Sequence, residues 1–134
     1  MINVLMIDTK CAITDGLCAV ISAEPDIQLV GHAECGDEGL NLAHELNPKV
    51  TVVDPEVLSG FTVHFIGTLK RRCPQTHTLV FANRRESEHA PYAISAGAAG
   101  FLSKRRSTSE FMRALRTVAR GKTYMPDEVA NQIA

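Results

Sequence analysis

Short apolar runs and longer amphipathic stretches alternate along the chain five times. The central run, Val50-Thr51-Val52-Val53, is β-branched throughout, which favours a pleated, buried strand. It lacks the alternation of a half-exposed strand, as expected of a central parallel strand covered on both faces, and it stops at a carboxylate, Asp54. The first run, Ile2–Ile7, is apolar apart from Asn3 and also stops at an acid, Asp8. Ile27–Ala33 reads as a second strand and residues from about Thr78 to Ala82 as a fourth. Ala99–Ser103 reads as a short fifth strand that delivers Lys104.

The stretches between have helical periodicity. Ile13, Leu17, Val20 and Ile21 form one apolar face of a helix that stops before Pro25. Glu38–Leu46 predicts a helix ended by Asn47-Pro48, and Pro55–Gly60 a loop. A helix from Thr62 to Arg72 is ended by Pro74. The loop Asn83-Arg84-Arg85-Glu86 leads into a helix that ends at Gly97. Pro91 would cost ~3 kcal/mol in a helix interior, so this helix is expected to begin near Ala90. Ser107-Thr108-Ser109-Glu110 has the form of a capping box. It opens a helix with the apolar face Phe111, Leu115 and Val118 and a stop at Gly121.

Such alternation predicts an α/β domain with a doubly wound, five-stranded parallel sheet, expected to be flavodoxin-like (β/α)5. In that form the strand order is 2-1-3-4-5. Chemistry in these sheets collects at the carboxyl ends of the strands, where Asp8, Asp54 and Lys104 all fall. An acid there can also simply cap the following loop. With the first and third strands adjacent, however, Asp8 and Asp54 converge and the Lys104 ammonium reaches over from the far side. Two close carboxylates repel unless a cation lies between them. An oxygen-ligand site of this type suits Mg²⁺, and a metal plus a lysine is what phosphoryl transfer to a carboxylate needs.

Composition adds exclusions. The 134 residues amount to one domain, and a net charge of −1 argues against nucleic-acid binding by the domain's overall electrostatics. No apolar run approaches the ~20 residues of a membrane helix. Asp8 and Lys10 interrupt the first apolar segment too early for a signal peptide. Cys11, Cys18, Cys35 and Cys73 show no CxxC pair and no ligand-like spacing with histidine, and read as reduced, cytoplasmic thiols. Charge is uneven: residues 1–50 carry eight acids and two bases, residues 104–122 seven bases and one acid. Arg113, Arg116 and Arg120 form a basic stripe on the last helix, directed to solvent or to a partner. The acidic first half of a second copy is a complement, so a homodimer through the last helix is expected, formed without a phosphodonor.

Several motifs, in order and at matching spacing, resemble the receiver domain of bacterial response regulators, specifically the NarL/FixJ (LuxR-type) branch. They are Val4-Leu5-Met6-Ile7-Asp8, Ala23-Glu24-Pro25-Asp26-Ile27, Val30-Gly31, and Asn47-Pro48 leading to Asp54. Ala96-Gly97-Ala98-Ala99-Gly100-Phe101-Leu102 with Lys104, and Gly121-Lys122-Thr123-Tyr124, complete the set. The resemblance implies that Asp54 is the phosphoacceptor, Asp8 a metal-site acid, Lys104 the phosphate contact, and Ala82 and Phe101 switch positions. It further implies a non-enzymatic, cytoplasmic receiver over residues 1–122 and the start of a linker over 123–134. That linker leads toward a helix-turn-helix domain outside these residues, through which alone the protein would meet DNA. A sensor histidine kinase is the partner the family suggests, and no membrane is involved.

The departures matter as much. The family carries a second acid directly after the first, where this chain has Thr9, a much poorer Mg²⁺ ligand. At the end of the fourth strand it carries Thr or Ser, where this chain has Ala82 with no hydroxyl for a phosphoryl oxygen. Its usual Met-Pro is Val57-Leu58, and Pro55 and Lys10 are further departures. Asp8, Asp54 and Glu56 would then form only a weak Mg²⁺ site, with Glu56 also readable as a solvated loop residue. The expectation is an atypical receiver whose scaffold is retained and whose output is largely independent of phosphorylation. Two alternatives remain: a conventional Asp-phosphorylated receiver, and a small flavodoxin-like FMN protein or enzyme. Against the flavin, Thr9–Asp15 contains no glycine to form a phosphate-cradling loop.

Overall fold

The computed structural model describes residues 1–9, 12–83 and 86–125. Its strands are β1 (Ile2–Ile7), β2 (Ile27–Ala33), β3 (Val50–Val53), β4 (His77–Ala82) and β5 (Gly100–Ser103). They form one parallel sheet in the order β2-β1-β3-β4-β5, the order expected of the flavodoxin-like fold. The helices are α1 (Ala12–Ala23), α2 (Gly36–Leu46), α3 (Thr62–Arg72), α4 (Glu86–Ala96) and α5 (Thr108–Ala119).

Period-two geometry sends successive strand residues to opposite faces. Val4, Met6, Val50, Val52, Leu79 and Phe81 pack with Leu17 and Ile21 of α1 and with Phe111, Leu115 and Val118 of α5. Leu5, Ile7 and Val53 pack on the other face, with Ala43 of α2 and Phe65 and Leu69 of α3. Both faces are therefore dry, which is why the strands read as near-continuous apolar runs. The one hydroxyl inside β3, Thr51, is buried but satisfied by a 2.8 Å hydrogen bond with the Thr76 hydroxyl. Gly39 brings α2 tight against β1, since a Cβ there would meet Ile7 at 2.5 Å.

Three expectations need correction. Pro55–Leu58 is not an open loop but a single 3₁₀ turn capped by Asp54. Helix α4 starts at Glu86, not near Ala90, with Pro91 inside it. Proline forfeits one backbone hydrogen bond, but Ala90 and Ala93 bury their methyls against Ile66, Val80 and Phe101, and tertiary packing of this kind outweighs local propensity. The stripe on α5 is not wholly free either. Arg116 bonds Glu24 at 3.0 Å and both oxygens of Asp26 at 3.1 and 3.2 Å, clamping α5 to the α1–β2 turn of the same chain. Arg113 and Arg120 stay exposed. The start of α5 follows expectation, with the Ser107 hydroxyl accepting from the Glu110 amide at 3.1 Å. Cys18, Cys35 and Cys73 are free thiols, whereas Lys10, Cys11, Arg84, Arg85 and residues 126–134 lie outside the described residues.

Candidate functional site

Register places the two acids side by side. Ile7 pairs with Val53 across β1 and β3, so Asp8 and Asp54 are the next residues on adjacent strands. The Asp54 amide donates to the Ile7 carbonyl at 2.9 Å, extending the ladder to the site itself. Lys104 follows β5 directly, and its amide donates to the carbonyl of Ala82, the last residue of β4, at 2.7 Å. Its side chain then reaches across the carboxyl ends of the strands. The ammonium lies 2.6 Å from Asp54 Oδ2, and 2.9 and 3.2 Å from Asp8 Oδ2 and Oδ1. All three side chains are at most 4% exposed. The sequence-derived convergence of Asp8, Asp54 and Lys104 is thus realised.

The electrostatics follow from burying two anions around one cation. Burial pushes the Asp8 carboxyl above its usual range, Lys104 pulls it back, and the neighbouring Asp54 charge pushes it up again, leaving it raised. Burial alone would lower the Lys104 ammonium, but its hydrogen bonds to Asp54 and Asp8 outweigh that and hold it above its ordinary value. The Lys104 nitrogen also stands 5.8 Å from the Phe81 ring centroid. Asp54 has a second task as well: its Oδ1 accepts from the Glu56 amide at 2.9 Å and so caps the 3₁₀ turn.

The remaining candidates lie further out. Glu56 is exposed and reaches Asp54 through its backbone amide. Among the described residues no three His, Cys, Asp or Glu side chains converge as a metal site. Thr9 is exposed, and its carbonyl accepts from the Thr14 hydroxyl at 3.1 Å. The donor set therefore offers Mg²⁺ two carboxylates of the kind it takes, Asp8 and Asp54, both already engaged by Lys104. Ala82 is buried in register with Ser103 of β5, whose hydroxyl accepts from the Arg105 amide at 3.2 Å.

Phe101 is buried beside Ala82 and lines a cleft of about 730 Å³ that Asp54 also borders. Sequence reasoning missed Thr62, Val63, Asn83 and Tyr92 of that cleft, which no motif marks. It also missed the path of the chain after α5. Tyr124 returns to the edge of β5, its amide donating to Ala99 at 2.9 Å and its carbonyl accepting from Phe101 at 3.3 Å. Its hydroxyl donates to Glu110 at 3.2 Å.

Known proteins resemble this chain in sequence and in fold. The chain is 30% identical over 134 residues to the response regulator GacA of Pseudomonas aeruginosa, covering all of this chain and 63% of that protein. It is 29% identical over 133 residues to the transcriptional regulatory protein LiaR of Bacillus subtilis, covering 99% of this chain and 63% of that one. The chain thus spans less than two thirds of the length of these curated relatives. Among solved structures, a two-component response regulator of the LuxR family from an Aurantimonas species superposes with a TM-score of 0.89 at 21% identity, covering 99% of this chain and 95% of that one. The signal receiver domain of the NarL regulator from Mycobacterium tuberculosis superposes at 0.82 with 23% identity, covering 90% and 98%. At these identities the structural likeness speaks for the fold, and it is the flavodoxin-like receiver fold. The response regulator receiver domain family matches residues 4–116, and this displaces the flavin-protein reading: the chain belongs to the receiver domains of two-component response regulators.

Proposed function

We propose that residues 1–122 are the signal-receiving domain of a LuxR-type DNA-binding regulator, and that 123–134 begin a linker toward a helix-turn-helix domain. In this reading the domain is regulatory rather than enzymatic, acts in the cytoplasm, and meets DNA only through the domain beyond the linker. The names of its relatives, a transcriptional regulatory protein and a LuxR-family response regulator, support it. Asp54 is the phosphoacceptor position, Asp8 the acid on the metal side, Lys104 the phosphate contact, and Ala82 and Phe101 the switch positions. Asp8 and Asp54 would hold Mg²⁺, which neutralises charge during phosphoryl transfer when bound.

Output is largely independent of phosphorylation in this proposal. The observation that carries it is the buried methyl of Ala82 at the end of β4, where a hydroxyl would be needed to hold a phosphoryl oxygen. The nearby Ser103 hydroxyl is engaged with the Arg105 amide, and Thr9 offers no carboxylate to a metal. The intact Asp8–Lys104–Asp54 constellation favours the second reading, a conventional receiver driven by a sensor histidine kinase. Asp54→Asn in the full-length regulator separates the two. Promoter output at the wild-type level is expected, and its loss would show that phosphorylation controls the protein.

A further inference from the structure

The cleft beside Asp54 has the dimensions of a ligand site. Its volume of about 730 Å³ lies within the ~300–1,000 Å³ typical of small-molecule pockets. Its inner wall is apolar, formed by the buried Ala82, Ala93 and Phe101. Its rim is built from side chains that a monomeric domain leaves unusually bare: Tyr92 is 69% exposed and Val63 54%. Few polar groups line it. Asp54 is engaged on both oxygens, by Lys104 and by the Glu56 amide, which leaves the Glu56 carboxylate, the Thr62 hydroxyl and the Asn83 amide to orient a guest. No basic side chain lines the cleft among the described residues. Its described lining carries the carboxylates of Asp54 and Glu56, which repel an anion, so this lining favours a neutral or cationic guest.

The cleft is also wired to the end of the described chain. Phe101 forms part of its wall, and the Phe101 amide donates to the Tyr124 carbonyl at 3.3 Å. Met125 packs against the cluster that contains Ala82 and Phe101. Any displacement of Phe101 by a guest therefore bears on residues 124 and 125.

We propose that this cleft binds a small, mainly apolar organic molecule with a neutral or cationic hydrogen-bonding head, and that its occupancy is passed to residues 124–125 through Phe101. The role as a signal rests on the phosphorylation-independent reading above; the binding itself does not. A ligand of this class would bias the exit segment by binding one of its arrangements more tightly than the other.

Three probes with one ring system and different charge test it: indole, tryptamine and indole-3-acetate, titrated into the ¹⁵N-labelled 134-residue chain and followed by NMR. Indole and tryptamine are expected to give saturable shifts at Val63, Asn83, Tyr92 and Phe101, in the millimolar range that ligands of so few atoms reach. Those shifts are expected to extend to Tyr124, and indole-3-acetate is expected to bind about tenfold more weakly. Val63→Trp, at an exposed position that leaves the core intact, fills the mouth and is expected to weaken binding about tenfold; Tyr92→Ala removes part of the rim with the same direction. Absent saturation, shifts that Val63→Trp leaves unchanged, or tightest binding by indole-3-acetate would overturn the site. Saturation without movement at Tyr124 would overturn the coupling. A parallel sample with acetyl phosphate and Mg²⁺ reads the phosphorylation question separately. A phosphate-driven shift of α4 and β5 there would overturn the reading above while the indole data still decide the cleft.

Discussion

Lys104 approaches Asp54 more closely than Asp8: its ammonium is 2.6 Å from Asp54 Oδ2, against 2.9 and 3.2 Å for the two oxygens of Asp8. One cation thus serves two buried anions unequally, and the less well served is the one whose carboxyl burial pushes upward. The native state therefore holds a proton on Asp8 more tightly than the unfolded chain does. Between the two pKa values the native state binds more protons, so this group's contribution to stability falls as pH rises from the ordinary aspartate range through the raised native value. Above the raised native value, an ionised Asp8 is a net cost.

Asp8→Asn is accordingly expected to stabilise the domain at pH 7, by about 1 kcal/mol in urea unfolding. The advantage should vanish at acid pH, once the wild-type carboxyl is protonated. Lys104→Met leaves two buried carboxylates without their cation, and is expected to destabilise by about 3–5 kcal/mol. A clear destabilisation by Asp8→Asn at pH 7 would mean that both acids need the lysine equally.

Metal affinity gives a second expectation. Mg²⁺ has to compete with the Lys104 ammonium for Asp8 and Asp54, and Thr9 brings no charge to help it. Thr9→Asp is expected to tighten Mg²⁺ binding by roughly tenfold, because affinity for hard cations rises with the number of charged oxygen ligands. Amide shifts of Asp8, Asp54 and Lys104 during a Mg²⁺ titration measure it. Saturation of the wild type at sub-millimolar Mg²⁺ would contradict the argument.

How much of this was legible beforehand depended on how local the cause was. β1 and β3 were readable because burial on both faces enforces apolar runs, and the functional acids because those runs end on them. The start of α4 was misread because the proline rule is local, whereas the packing of Ala90 and Ala93 under α3 and β5 is not. Arg116 read as a free surface base because its partners, Glu24 and Asp26, stand about 90 residues earlier in the chain. No pattern announced the cleft, since Thr62, Asn83, Tyr92 and Phe101 come from four separate stretches that only the tertiary structure brings together.

Gly100 offers a test of the exit segment. A Cβ at this position would stand 3.0 Å from the Tyr124 carbonyl oxygen, 3.0 Å from Leu79 and 3.2 Å from Val118. Gly100→Ala therefore pushes residues 123–125 off the edge of β5 or overpacks the core beneath it. The expected cost is about 1–3 kcal/mol, with faster hydrogen exchange at the Phe101 amide, whose acceptor is the Tyr124 carbonyl. Unchanged exchange at Phe101 would show that the edge contact tolerates the methyl.

Association is the last expectation, and the Arg116 clamp changes how it must be tested. The homodimer anticipated from the charge asymmetry of the chain relied on a three-arginine stripe, of which Arg116 is spent on Glu24 and Asp26 within the same molecule. Arg113 on α5 and Arg120 at its C-terminal cap remain exposed, while the apolar face of Phe111, Leu115 and Val118 is already buried in the chain's own core. A pairing surface on this helix is therefore polar, and complementary charge of that kind aligns partners more than it tightens them. Substituting Arg116 would break an internal contact and confuse the result, so the informative variant is Arg113→Glu with Arg120→Glu. Sedimentation is expected to show a modest, salt-sensitive dimer of the wild type without any phosphodonor, and a monomeric double variant. A wild type that stays monomeric at roughly 100 μM in low salt, where exposed charges are least screened, would rule out pairing through α5.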